Sequence, residues 1–175
     1  MNAWDPKADH FTLVAGLSSS GKSTWLSRNV AKEKIIFPFK LGNDFSKLPE
    51  TSFIHYNTLR YADNHACNLA RDFTHDPFLG EILRHAGSFD LIYIAATPEE
   101  LLRRIDVRHT IEDGEGVYPK NPIATAIRDI DHRMFHAAWL DLLVPVSRHA
   151  QVILSDATGF HDVSRSDLVG AMPTI

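Results

Sequence analysis

Gly16-Leu17-Ser18-Ser19-Ser20-Gly21-Lys22-Ser23-Thr24 decides how the rest of the chain is read. It satisfies G-x-x-x-x-G-K-[ST], the P-loop pattern that cradles phosphates. His10-Phe11-Thr12-Leu13-Val14-Ala15 before it suits a buried strand, and Thr24 to Val30 after it can continue as a helix, with Trp25, Leu26 and Val30 apolar. Strand, glycine loop, helix is the context in which such a loop works. At average residue usage a chain of this length matches by accident well under ~1% of the time, so a chance Gly/Ser turn before a lysine is the weaker reading.

The chemistry follows from the residue types. The backbone N–H groups of Ser18 to Ser23 are expected to turn inward as an anion nest at a helix N-terminus. Gly16 and Gly21 permit backbone angles forbidden to other residues and let phosphate come close. Gly16, Leu17, Ser18, Ser19, Ser20, Gly21, Lys22, Ser23 and Thr24 are thus the expected nucleotide-binding set. Lys22 reaches the β- and γ-phosphates, and the Ser23 hydroxyl meets Mg²⁺ carried with ATP.

Composition sets bounds around this. The 175 residues suit one domain spanning 1–175, and at that size roughly 70% of the unfolded surface is buried. Apolar residues make up 44% and charged residues 23%, an ordinary globular balance. A net charge of −4 argues against a broad nucleic-acid footprint. Cys67 is the single cysteine, so no intramolecular disulfide forms, and a reducing, cytoplasmic setting is expected. Met1 to Pro6 lacks the basic start and apolar core of a signal peptide, and no apolar run approaches the ~20 residues that span a bilayer. Nothing in the sequence sets the oligomeric state.

Along the chain, helix one follows the loop and fades near Lys32-Glu33. Lys34 to Phe39 reads as strand two, placed at an edge because Pro38 cannot donate to a ladder. Thr51 to Tyr56 reads as strand three and Phe89 to Ala96 as a buried strand. Thr58 to Gly87 reads as mostly helical, with a break at Asp76-Pro77. Thr97-Pro98-Glu99-Glu100 is a helix start with Thr97 as cap and Pro98 at the first position. Ile123 to Leu143 is expected as one long amphipathic helix, Gln151 to Ser155 as the last strand, Asp156 to Gly159 as a turn, and Asp162 to Met172 as a closing helix. Alternating strands and helices imply a parallel sheet covered on both faces.

This order resembles the small P-loop kinases: nucleoside monophosphate, shikimate and gluconate kinases and their relatives. The arrangement covers nearly the whole chain, but only the P-loop is specific as a motif; Leu101 to Arg108 is moderately so. The resemblance implies a three-layer α/β P-loop NTPase fold with five parallel strands in the order 2-3-1-4-5 and a short lid around 109–122. It also implies roles for two lid-helix arginines, Arg104 near the base and Arg108 on phosphate oxygens, with Gly114 and Gly116 as hinges and Asp156 to Gly159 bordering the adenine. Arginines four apart share one helix face, and a cation closing late favours the phosphoryl transition state. The plainer alternative is a solvated face in which Arg103, Arg104 and Arg108 pair with Glu99, Glu100 and Asp106.

One part of the pattern fails. Many P-loop enzymes hold the metal with an Asp at the end of the strand beside the P-loop strand, yet strand three ends in His55-Tyr56-Asn57. Asp90 precedes its strand and lies at the wrong end of the sheet. Asp44, in the loop after strand two, is the candidate general base or substrate anchor, against a simple turn after Gly42-Asn43. Arg60 is a candidate substrate clamp, and His55 and Asn57 are candidate polar contacts near the γ-phosphate or metal. His132 and His136, four apart, lack a third ligand for a metal. The expectation is an ATP- and Mg-dependent phosphotransferase acting on the hydroxyl of a small metabolite, with Lys22, Arg108 and Asp44 catalytic. A nucleotide-binding regulator or assembly factor without transferase activity is the alternative, and sulfuryl transfer a more distant third.

Overall fold

Phe11–Gly16 forms β1, all six residues buried. A strand covered on both faces reads as a continuous apolar run rather than an alternation. The structure, a computed structural model, describes residues 11–37, 48, 51–58, 77–111 and 120–174, without the side chains of 77, 108–111 and 120–123. The other strands are β2 (Ile35–Ile36), β3 (Phe53–Asn57), β4 (Phe89–Ala95), β5 (His149–Asp156) and β6 (Gly159–Asp162). The six described α-helices are α1 (Lys22–Asn29), α2 (Pro77–Arg84), α3 (Pro98–Ile111), α4 (Lys120–Asp129), α5 (His132–Leu143) and α6 (Arg165–Ala171).

The strands lie in the order β2-β3-β1-β4-β5-β6. All neighbours are parallel except β5 and β6, which are antiparallel. The sheet is therefore mixed and six-stranded, a correction to the five parallel strands expected. The sixth strand arises because Asp156 closes a tight turn. Its carboxylate accepts from Thr158 N at 2.7 Å and Thr158 Oγ1 at 2.6 Å, and Gly159 takes φ 136°. An Asp side chain that hydrogen-bonds two residues ahead, followed by a glycine at positive φ, reverses the chain directly. Phe160 to Asp162 consequently pair with β5, and the closing helix starts only at Arg165, capped by Ser164.

The expected helix from Ile123 to Leu143 is two helices. Asp131 leaves helical geometry, with ψ 96°, and its carboxylate accepts from Met134 N at 3.1 Å, starting α5 afresh. An Asp that satisfies an orphan amide competes well with helix continuation. α1 ends at Asn29 rather than near Lys32, and a short 3₁₀ turn at Lys32–Lys34 leads into β2. Of the expected strand two, Ile35–Ile36 is strand; Pro38 and Phe39 lie outside the described residues. β3 runs to Asn57, one residue past the expected end, and α3 begins on its Thr97 cap and continues to Ile111.

Two apolar clusters hold the layers together. Leu13 and Ala15 of β1 point to a large core with α2, α3, α5 and α6, where Trp139, Tyr56, Phe78 and Leu101 are buried. Val14 points the other way, onto Leu26 of α1, Ile92, Ile94 and Ile153. The alternation of β1 side chains thus pins α1, and with it the loop before α1, to one side of the sheet. Asp90 sits near the start of β4 and pairs with Arg148 at 3.2 Å, away from the strand carboxyl ends. No helix among the described residues is long and apolar enough to cross a membrane.

Candidate functional site

The carboxyl ends of β1, β3 and β5 open into a cavity of about 680 Å³. In an open, mostly parallel sheet ligands gather at that end. The loop from Gly16 to Gly21 forms its floor. Ser20 N closes onto Leu17 O at 3.1 Å, Ser19 is left-handed at φ 66°, and Gly21 has φ 105° just before α1. Successive turns of this kind bring backbone N–H groups to one concave side. A non-glycine residue held left-handed costs about 1–2 kcal/mol and persists only where its surroundings enforce it.

The enforcement is visible. Gly16 lies so close to β4 that an added Cβ would overlap the Ile94 carbonyl oxygen and come within 2.8 Å of Ser20 Oγ. At Gly21 a Cβ would stand 3.1 Å from both the Phe160 ring and Ser155 Oγ. Arg104 ties the loop to the far wall. Its guanidinium donates to Ser19 O at 3.1 Å, to Ser155 Oγ at 2.9 Å and to Asp156 O at 3.3 Å, while Nε meets Glu100 at 2.7 Å. The Ser19 and Ser20 hydroxyls are buried with no hydrogen-bond partner among the described residues. Buried polar groups are nearly always satisfied, so these two mark the loop as a place with unmet polar capacity.

Lys22 is 3% exposed. Its ammonium donates to Gly16 O at 2.8 Å and Leu17 O at 2.6 Å. Arg28 from α1 and Arg104 from α3 add two more cations to the lining, and Arg28 stands 5.9 Å from the Phe160 ring centre. Among the described residues lining the cavity, the single carboxylate is Asp156, engaged by Thr158 and His161 and held well below the usual carboxylate range by the Thr158 hydroxyl and amide. The cavity is therefore biased toward anions.

His55 and Asn57 bring the end of β3 to the same cavity. His55 Nε2 lies 3.3 Å from Ser23 Oγ, and Phe37 packs against the ring at 5.0 Å. Burial, and next the Lys22 charge, push His55 down to about 4, so the ring is neutral at ordinary pH.

Of the residues expected from sequence, the cavity brings together Ser18, Ser19, Gly21, Lys22, Ser23, Thr24, His55, Asn57, Arg104 and the turn from Asp156 to Gly159. Gly16, Leu17 and Ser20 lie behind them in the turn. Arg104 is committed to the loop and to β5, and Arg103 pairs with Glu100 at 2.6 Å, as the plainer alternative had it. Arg108 is in α3, but its side chain, Asp44, Arg60 and the lid segment 112–119 lie outside the described residues. Arg28, Ser155 and Phe160 belong to the site without having been read from sequence. The hairpin that carries Phe160 brings it in: the turn at Asp156 to Gly159 was read from sequence, but the strand that follows it was not.

His132 and His136 are core residues. His136 Nδ1 meets the buried Tyr93 hydroxyl at 2.7 Å, and His132 Nε2 donates to Ile127 O at 2.7 Å. No group of three metal-ligating side chains occurs among the described residues. Neither any protein-family model nor any curated protein matches the sequence.

Proposed function

We propose that the protein is an ATP- and Mg²⁺-dependent phosphotransferase of the P-loop kinase fold, acting on a hydroxyl of a small metabolite. The observation that carries this reading is the loop itself: a G-x-x-x-x-G-K-[ST] segment between β1 and α1, curled by Ser19 and Gly21, with Lys22 at its centre and cations along the cavity. Incoming phosphate oxygens take the place of the Gly16 and Leu17 carbonyls as partners of the Lys22 ammonium. The nest amides hold the β-phosphate, and the Ser23 hydroxyl is the residue that would hold the metal. The metal supplies charge neutralisation across the phosphates.

In the reaction the acceptor oxygen forms a bond to the γ-phosphorus as the bond from phosphorus to the ADP oxygen breaks. The acceptor proton passes to a base, a role given by sequence to Asp44, and Arg60 and Arg108 stand as candidates for substrate and phosphate contacts. Little covalent chemistry falls to the protein, so positioning and charge carry the rate. A second reading, a nucleotide-binding regulator without transferase activity, is favoured by β3 ending in His55-Tyr56-Asn57 without a carboxylate.

Calorimetry with ATP tests the first step. Lys22→Ala is expected to weaken binding and to lower turnover by orders of magnitude with the fold intact; unchanged affinity and rate would refute the assignment. Incubation with γ-labelled ATP and a pool of polar metabolites distinguishes the two readings: new phosphorylated species mark a kinase, and binding without transfer marks a regulator.

A further inference from the structure

The peptide unit between Ser19 and Ser20 is held at both ends. Its carbonyl oxygen, Ser19 O, accepts from Arg104 Nη1 at 3.1 Å, and its N–H, that of Ser20, donates to Leu17 O at 3.1 Å. The turn closed in this way has Ser19 as its third residue, at φ 66°. A turn with positive φ at that position ordinarily takes Gly or Asn there. A serine in that place is strained and persists only where its surroundings enforce it. Arg104, 85 positions further along the chain, supplies the restraint. Its Nη2 donates to Ser155 Oγ at 2.9 Å and to Asp156 O at 3.3 Å, and its Nε to Glu100 at 2.7 Å. The Ser155 hydroxyl in turn stands 3.1 Å from where a Cβ on Gly21 would lie. The guanidinium and its serine partner thus back both left-handed residues of the loop, Ser19 and Gly21.

The resemblance to small P-loop kinases implied a place beside the base for Arg104. Its hydrogen bonds point elsewhere, because Nε and both terminal nitrogens are engaged by protein oxygens. We infer that Arg104 is a positioning residue for the triphosphate: it fixes the Ser19–Ser20 peptide unit and so keeps the anion nest formed before a ligand arrives. The inference rests on the nucleotide-binding reading above and identifies what prepares that site. A loop already in its binding shape need not be ordered by the ligand. Without Arg104, Ser19 is free to leave the left-handed region in the unliganded protein. The left-handed penalty then lowers the competent fraction, and with it the apparent affinity, by about tenfold.

Inorganic tripolyphosphate with Mg²⁺ is the probe, because it carries the phosphates without base or ribose. ATP with Mg²⁺ is the comparison, and both are titrated into the full chain by calorimetry. Wild-type protein is expected to bind both ligands. Arg104→Ala is expected to lose about tenfold for tripolyphosphate and by the same factor for ATP. In a Ser19→Gly background positive φ carries no steric penalty, so there Arg104→Ala should lose less than about threefold. Loss of the arginine's charge alone, or a general loosening of the fold, would persist in that background. An equal loss with and without Ser19→Gly therefore overturns the inference. So does a loss for ATP alone, which would place Arg104 at the base, or a loss for neither ligand. Wild-type protein that binds ATP but not tripolyphosphate also overturns it and leaves the nucleotide reading standing. Wild-type protein that binds neither overturns both. Should Arg104→Ala fail to fold, Ser155→Ala removes one partner of the guanidinium and keeps its charge. A several-fold loss of tripolyphosphate affinity is then expected, and unchanged affinity overturns the inference.

Discussion

Replacing Gly16 with alanine probes the packing that shapes the loop from Gly16 to Gly21. Gly16 ends β1, pairs in register with Asn57 and faces the backbone of β4. The new methyl would overlap the Ile94 carbonyl oxygen, and Ser20 Oγ, 2.8 Å away, blocks retreat on that side. A carbonyl in the middle of a parallel ladder cannot rotate aside, because Ile94 is itself paired with Ile153. β1 and β4 must therefore separate locally, or the loop must shift. Overpacking in a tight core costs typically 1–3 kcal/mol, and a backbone overlap belongs at or above about 3 kcal/mol. Urea unfolding measures it. With a slope of about 2 kcal/mol per molar, the midpoint should fall by roughly 1.5 M while the slope stays constant. Gly80→Ala is the control. A Cβ there meets nothing within 4 Å, and it sits inside α2, so it should stabilise by up to about 1 kcal/mol. A Gly16→Ala midpoint within about 0.3 M of wild type would refute the claim that close approach to β4 sets the loop.

Three further outcomes follow from particular contacts. Arg104→Ala removes the donors to Ser19 O, Ser155 Oγ and Asp156 O and should destabilise by about 2 kcal/mol; Arg104→Lys, a single point donor, should recover less than half in the same urea titration. Asp131→Ala removes the cap that begins α5 and should cost about 1 kcal/mol, measured as a thermal midpoint; no change would mean that α4 and α5 merge without cost. His136 is buried, and burial, then the neighbouring His132, push it down to about 3 from an ordinary 6.5. Between those values the unfolded chain binds the proton and the native state does not, so stability falls as pH drops from about 6.5 toward 3, by up to roughly 1 kcal/mol per pH unit. His136→Gln, which keeps a partner for Tyr93, should flatten the stability profile between pH 6 and 4; an unaltered slope would show that His136 contributes nothing to it.

Much was legible in the chain itself, and the reason is locality. A buried strand announces itself as an apolar run, a P-loop as fixed spacing of glycines and a lysine, and a helix start as Thr97-Pro98 followed by Glu100. Each depends on residues within a few positions of one another. The errors came where a short polar side chain redirected the backbone. Asp131 divided one expected helix into α4 and α5, and the turn expected at Asp156 to Gly159 led into a sixth strand where none was expected. Both are Asp residues whose carboxylates bind nearby amides, a competition that apolar periodicity does not register.

The alternation of strands and helices and the glycine-lysine loop pattern were readable without coordinates, because both are written in local spacing. Long-range packing settled the rest: β6 closes the sheet antiparallel, Arg28 and Phe160 reach the cavity, Arg104 binds the loop to β5, and His55 faces Ser23 across 32 positions of chain. Those facts depend on strand pairing and register, which place distant residues side by side and leave no mark in the spacing of either one.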